Sequence, residues 1–170
     1  MSTAAPFDRV GRYVVRRRIG SGSFATVWLA YDEHLDSPVA IKVLADNWTL
    51  DEQVRRRFVE EGRFLRRVDS PHVVSVHDAG ELDDGRPYLV MTYADQGSLA
   101  DRLPGRRTPD APAGPPALTP GQALTVVRQV ADGLQALHDR DVLHRDVKPG
   151  NVLFKSSGTH VRAMLGDLGL

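Results

Sequence analysis

A chain of 170 residues with 41% hydrophobic content is long enough to bury one core, or two small lobes, and too apolar to be disordered throughout. Lysine plus arginine equals aspartate plus glutamate at 22 each, so net charge gives no ground for nucleic acid or an anionic membrane as the main partner. The absence of cysteine excludes disulfide staples and thiolate metal sites; no signal-peptide core or membrane-length apolar run is present, and the expected location is the cytoplasm.

Residues 1–10 read as an N-terminal tail. Tyr13-Val14-Val15 then leads through Arg16-Arg17-Arg18-Ile19 into Gly20-Ser-Gly-Ser-Phe-Ala25, and Thr26 to Tyr31 resumes β-favouring residues. Strand, glycine turn, strand is the natural reading. A dinucleotide fingerprint would open a helix after its glycines, and this run does not. Two readings remain open for the turn: an ordinary hairpin, or a loop whose backbone amides approach phosphate oxygens where a Cβ would intrude.

Pro38 to Leu44 predicts a third strand, whose alternation sets Val39, Ile41 and Val43 on one face and Ala40, Lys42 and Leu44 on the other. Lys42 therefore shares a face with apolar neighbours. Thr49-Leu-Asp-Glu52 has capping-box spacing and predicts a helix to about Val68. Val54, Phe58, Leu65 and Val68 form its inner stripe, and Glu61 completes the repeat between them, whereas Glu60 lies about 100° round the helix. A carboxylate on an apolar stripe is costly unless it meets a cation. Lys42 is one candidate; the arginines flanking Glu61 on its own helix are the other.

Val73 to His77 and Pro87 to Tyr93 predict a hairpin across Asp84-Gly85, giving five strands and one helix in the first half. Ala94 to Ser98 reads as a polar hinge whose backbone groups are suited to recognising a planar base. His72 and His77 lack metal-ligand spacing and are taken as structural or solvated. A short helix is expected at 98–103. The Pro-, Gly- and Arg-rich stretch 104–117 is expected to be a mobile loop, with Arg106 and Arg107 as solvated residues.

Thr119-Pro-Gly-Gln122 predicts a capped helix to about Asp139, apolar on more than one side. Only short strands, near Val142, Val152–Lys155 and Val161–Leu165, follow it, so the sequence is expected to end inside a domain. Between them His144-Arg-Asp-Val-Lys-Pro-Gly-Asn151 packs a carboxylate, an ammonium and an amide into eight residues. Asp146 is suited to accept a proton, Lys148 to hold a transferring anion and Asn151 to ligand a metal. Asp167, flanked by Gly166 and Gly169 at a strand end, is suited to hold a metal beside Asn151.

Taken in order, the glycine turn at Gly20, Val39-Ala-Ile-Lys42, the helix residue Glu61, the hinge near Met91 to Ala94, the octapeptide ending at Asn151 and Asp167-Leu-Gly169 resemble the protein-kinase family, and most closely its bacterial serine/threonine branch. The resemblance covers residues 11–170. It implies an α+β fold: a five-stranded antiparallel small lobe with one regulatory helix (11–93), a hinge (94–97) and the beginning of a mainly helical large lobe (98–170). It implies ATP and Mg²⁺ as cofactors and a protein serine or threonine hydroxyl as acceptor.

Carried over residue by residue, Gly20 and Gly22 cover the ATP phosphates, Lys42 holds the α- and β-phosphates, and Glu61 orients Lys42. Val27, Ala40 and Leu153 sandwich the adenine, Met91 resembles the gatekeeper, and Thr92 to Ala94 read the base edge through their backbone. Asp146 accepts the hydroxyl proton, Lys148 steadies the γ-phosphate, and Asn151 and Asp167 bind magnesium. Ala25 stands where the family has a third loop glycine and Leu168 where it usually has phenylalanine. With no activation loop after Leu170, weak or no phosphoryl transfer is expected from this chain itself. The alternative is a non-catalytic ATP-binding or interaction fragment of a kinase, associating through the exposed apolar surface of the 119–139 helix.

Overall fold

The computed structural model describes residues 8–103 and 115–168. Most of the expected proline-rich loop, including Arg106 and Arg107, and Gly169 of the terminal motif lie outside the described residues. The chain divides into two compact units: the first holds the chain up to Arg67 together with Ser75–Tyr93, the second Val68–Val74 and the chain from Ala94 onward. Residues 68–74, read from sequence as part of the small lobe, thus belong with the second unit.

The first unit is an antiparallel sheet of six strands: β1 (Arg9–Val10), β2 (Tyr13–Ser21), β3 (Ala25–Asp32), β4 (Ser37–Leu44), β5 (Val76–Glu81) and β6 (Pro87–Thr92). Their spatial order is β1-β2-β3-β4-β6-β5. The sixth strand is β1, cut from the expected tail. Gly11 takes a positive φ of 53° and turns the chain so that Val10 faces Tyr13 in register, both of them buried. A two-residue strand is too short to show alternation in sequence, which is why it was missed.

The alternation along β4 holds. Val39, Ile41 and Val43 join Trp28, Ala30, Tyr88 and Val90 in a buried cluster, while Ala40 and Lys42 point to the opposite face. Helix α1 (Glu52–Arg67) packs on that opposite face, where a Cβ at Gly62 would collide with the Leu89 side chain. Its N-terminus differs from the expected capping box. The Asp51 carboxylate accepts from the amides of Gln53 and Val54, both at 3.0 Å, and the Thr49 hydroxyl instead donates to the Asp46 carbonyl inside a short 3-10 turn, Asp46–Trp48. Both residues are good caps; the intervening turn decides between them. The hairpin strand β5 also starts later than expected, at Val76, because the Val74 amide donates to the Leu165 carbonyl and Val73 bridges Leu165, both within the second unit.

In the second unit, α2 (Pro120–His138) opens with the expected reciprocal cap: the Thr119 hydroxyl accepts from the Gln122 amide, and Gln122 Oε1 accepts from the Thr119 amide. The hairpin of β7 (Val152–Ser157) and β8 (His160–Leu165) lies beside it, with Gln129 accepting from the Ala163 amide at 2.7 Å. Gly133 lets α2 approach segment 72–74; a Cβ there would sit 2.5 Å from the His72 carbonyl oxygen. No strand forms at Val142, which is buried in a connection where Asp141 takes a positive φ of 58°. Along α2, Val126, Gly133 and Leu137 are buried, whereas Leu124 and Val127 are 73% and 65% exposed. No helix among the described residues is long and apolar enough to cross a membrane.

Candidate active site

The residues singled out in sequence fall into two groups, one in each unit. In the first unit, the pairing of β2, β3, β4 and β6 sets Gly20 opposite Val27, Val27 opposite Lys42, and Ala40 opposite Met91. These side chains line one sheet face, the one α1 packs on. Lys42 Nζ donates to both carboxylate oxygens of Glu61, at 2.8 and 2.9 Å, and lies 5.9 Å from the Phe58 ring centroid. Both partners are buried, at 8% and 5% exposure, so the pair is shielded from solvent. The arginine alternative for Glu61 is thereby set aside; Arg56 pairs with the more exposed Glu60 four residues on.

The glycine turn is closed by the Gly22 amide donating to the Ala25 carbonyl at 2.9 Å. Neither Gly20 nor Gly22 has a positive φ, and a Cβ on either would meet its neighbours at ordinary van der Waals distance. Folding therefore does not demand glycine at these positions. Thr92 donates its amide to the Ser75 carbonyl, which fixes the end of β6.

In the second unit, Ala94 begins the expected hinge, and the residues after it are held along β7. Gln96 and Phe154 exchange a bond in one direction (2.9 Å), Phe154 and Gly97 in the other (2.8 Å), and Ser98 bridges Leu153. The Asp95 carboxylate accepts from the Ser156 amide at 2.8 Å. Burial opposes its charge, but the hydrogen bonds from Ser156 and Gln96 prevail and hold it down at about 2. Leu153 is thus fixed against the hinge by backbone bonds on either side.

The octapeptide forms a compact polar loop ending in a 3-10 turn, Pro149–Asn151. Lys148 Nζ donates to Asp146 Oδ2 at 2.7 Å. Asn151 Nδ2 donates to the Asp146 carbonyl at 2.8 Å and to its Oδ2 at 2.9 Å, leaving the amide oxygen of Asn151 as its acceptor. The hydrogen bond from Lys148 holds the Asp146 carboxyl below its usual range; partial burial works against this and the bond from Asn151 adds to it. Asp146 is therefore ionised at neutral pH and aimed by two donors.

His144, 2% exposed, ties this loop to the end of β8. Its Nδ1 accepts from the Asp146 amide at 3.3 Å and its Nε2 donates to the Gly166 carbonyl at 2.8 Å. The Gly166 amide in turn donates to the Asn151 carbonyl at 2.9 Å. Asp167 follows directly, at a positive φ of 49°, so the two candidate metal ligands sit on one hydrogen-bonded frame. This role of His144 was not read from sequence; its only signal was an imidazole two residues before a candidate base. Substituting His144→Phe, which fills the volume but leaves the Gly166 carbonyl and the Asp146 amide without partners, is expected to cost about 2–4 kcal/mol of stability. Denaturant unfolding of the variant checks this.

The oxygen donors present suit a hard cation. Asn151 and Asp167 offer an amide oxygen and a carboxylate, and among the described residues no three His, Cys, Asp or Glu side chains converge. An amide oxygen and a carboxylate are donors of the kind Mg²⁺ accepts, since it takes one or two protein oxygens and draws the rest of its shell from phosphates and water.

A family model described as the protein kinase domain matches residues 13–170. The chain is 39% identical over 160 residues to the serine/threonine-protein kinase pkn2 of Myxococcus xanthus, covering 94% of this chain and 18% of that protein. It is 36% identical over 148 residues to PrkC of Bacillus subtilis, covering 87% and 21%. To PknL of Mycobacterium tuberculosis it is 39% identical over 160 residues, covering 94% and 37%. Among solved structures, the PknI kinase domain of Mycobacterium tuberculosis superposes with a TM-score of 0.72 at 33% identity, over 97% of this chain and 63% of that one. The chain thus spans well under half of these curated relatives and less than two thirds of the solved kinase domain.

Proposed function

The chain belongs to the protein-kinase family, and we propose on that ground that its function is ATP-dependent phosphoryl transfer to a serine or threonine hydroxyl of a protein. The observation that carries this reading is the loop in which Lys148 and Asn151 both hydrogen-bond Oδ2 of Asp146. A carboxylate aimed by two donors, with an ammonium beside it, is the arrangement needed to orient a hydroxyl while negative charge moves onto it. Relatives named serine/threonine-protein kinases point to the same acceptor class.

In this reading Lys42, held by Glu61, binds the α- and β-phosphates, and the amides of the turn at Gly20 and Gly22 approach the phosphate oxygens. The freedom of both glycines from any packing demand supports that use, since a side chain there would obstruct a ligand and not the fold. Val27, Ala40 and Leu153 take the adenine, with Met91 behind it and the backbone of Thr92 and Ala94 reading the base edge. Asp146 orients the acceptor hydroxyl and takes its proton. Lys148 balances the charge of the group in transit. Asn151 and Asp167 hold Mg²⁺, which when bound neutralises charge on the β- and γ-phosphates.

Exposed Leu124 and Val127 on α2 favour a second reading, in which the chain acts as an association module with or without turnover. One experiment bears on both. Thermal unfolding of the 170-residue chain is expected to be cooperative, with a midpoint raised by ATP plus Mg²⁺, the stabilisation being set by ligand excess and reaching about 2.7 kcal/mol at one hundred times Kd. The shift is expected to shrink in Asp167→Asn, which weakens the metal site. A cooperative transition indifferent to ATP and Mg²⁺ would refute the nucleotide reading and leave the association reading, which sedimentation then tests.

A further inference from the structure

Trp48 lies outside the motifs that carry the kinase resemblance, in the 3-10 turn Asp46–Trp48 between β4 and α1. Its Nε1–H donates to the Ser23 carbonyl at 2.9 Å. Its ring meets that of Phe24 with centroids 4.9 Å apart and planes tilted by 51°, within the range of favourable aromatic pairs. Next to it, the Ala45 amide donates to the Phe24 carbonyl at 2.9 Å. Three contacts from one connector thus converge on the two residues at the tip of the glycine turn, where Phe24 remains 51% exposed.

The connector is itself anchored. Asp46 forms an ion pair with Arg86, whose side chain is only 12% exposed, in the hairpin between β5 and β6. On the other side, the Asp51 amide donates to the Trp48 carbonyl at 3.1 Å, and the Asp51 carboxylate caps α1, the helix that carries Glu61. Trp48 therefore sits where the glycine turn, the sheet and the start of the Glu61 helix meet.

We propose that Trp48 is a positioning residue for the nucleotide phosphates: it pins the glycine turn in one conformation and couples it to α1. The proposal rests on the nucleotide reading given above. A turn with two glycines has many conformations to lose when it closes over a ligand. Affinity falls in proportion to the fraction of molecules in the competent conformation, and a tether present before binding raises that fraction. In that reading the glycine turn approaches the phosphates and not the base, so the effect of Trp48 is confined to ligands that carry phosphates.

The test titrates the 170-residue chain, Trp48→Ala and Trp48→Phe with MgATP and separately with adenosine by calorimetry, alongside amide hydrogen exchange at residues 21–25 without ligand. Loss of one hydrogen bond and one aromatic contact is expected to weaken MgATP binding roughly five- to tenfold in Trp48→Ala. Adenosine binding is expected to stay at the wild-type value and exchange in the turn to quicken. Trp48→Phe, which keeps a ring against Phe24 but has no N–H for Ser23, is expected to fall between. Equal weakening for both ligands would overturn the proposal, since it indicates general damage to the unit. Wild-type affinity for MgATP with unchanged exchange in the variants would overturn it while leaving the nucleotide reading intact. A wild-type chain that binds neither ligand would refute that reading, and this inference with it.

Discussion

Replacing Glu61 by alanine is expected to lower the unfolding free energy by about 3–5 kcal/mol, the cost of removing one member of a buried ion pair. Lys42 lies in the middle of a six-stranded sheet, contacts both oxygens of Glu61, and is 8% exposed, so solvent screens the pair little. Lys42→Met is expected to be destabilising for the same reason, the other member of the pair now being removed. The double variant Lys42→Met/Glu61→Leu separates stability from use. Two apolar side chains of similar volume on a face already lined by Phe58, Leu65 and Leu89 are expected to recover most of the lost stability, since burying an ion pair gains little over burying hydrocarbon. The same double variant is expected to lose its response to MgATP altogether. Urea unfolding of the three variants gives the first result and ligand-dependent melting the second. A cost below about 1 kcal/mol for Glu61→Ala would mean that the pair behaves as a surface bridge, contrary to its burial.

That pair is also where sequence reasoning went furthest. The period of two along β4 and the mixed three- and four-residue spacing along α1 each flagged one charged residue on an apolar face, and opposite charges on two such faces have few ways to be satisfied. The order of the elements, the caps of α2 and the compact polar loop at 144–151 were legible for similar reasons: each depends on residues close together in the chain. What escaped depends on distant partners. Thr49 and Asp51 are equally good caps by composition, and only the 3-10 turn at 46–48 removes Thr49 from the role. Val73 and Val74 look like the start of a strand, but their backbone partner is Leu165, some ninety positions on. The expected short strand at Val142 gave way to a buried connection, since apolar character shows burial without showing a partner strand. His144 and Trp48 belong to the same class: a ring N–H that finds one carbonyl has no periodicity to betray it.

The other large effect is expected at Asp146. Substitution by alanine is expected to lower γ-phosphate transfer by about 10²–10⁴-fold, the range for loss of a positioned proton acceptor. Radiolabelled transfer under single-turnover conditions reads this even where the parent rate is low. In the proposed reading, a carboxyl held below its ordinary range is a weak base, and Asp146 serves chiefly to orient the hydroxyl. The direction of the shift also sets the pH dependence. Because the folded carboxyl titrates below its ordinary value, the ionised form persists through neutral pH, and transfer is expected to fall only as pH drops through that lowered value. Lys148 is the largest cause of the lowering, so Lys148→Ala is expected to move the acid limb upward as well as to reduce the rate. Asn151→Asp would set a second carboxylate where Nδ2 now donates to Asp146, with the same upward displacement and a like-charge clash within the loop. An acid limb that stays put in Lys148→Ala would assign the titration to another group, and a rate in Asp146→Ala within tenfold of the parent would remove Asp146 from the proton path.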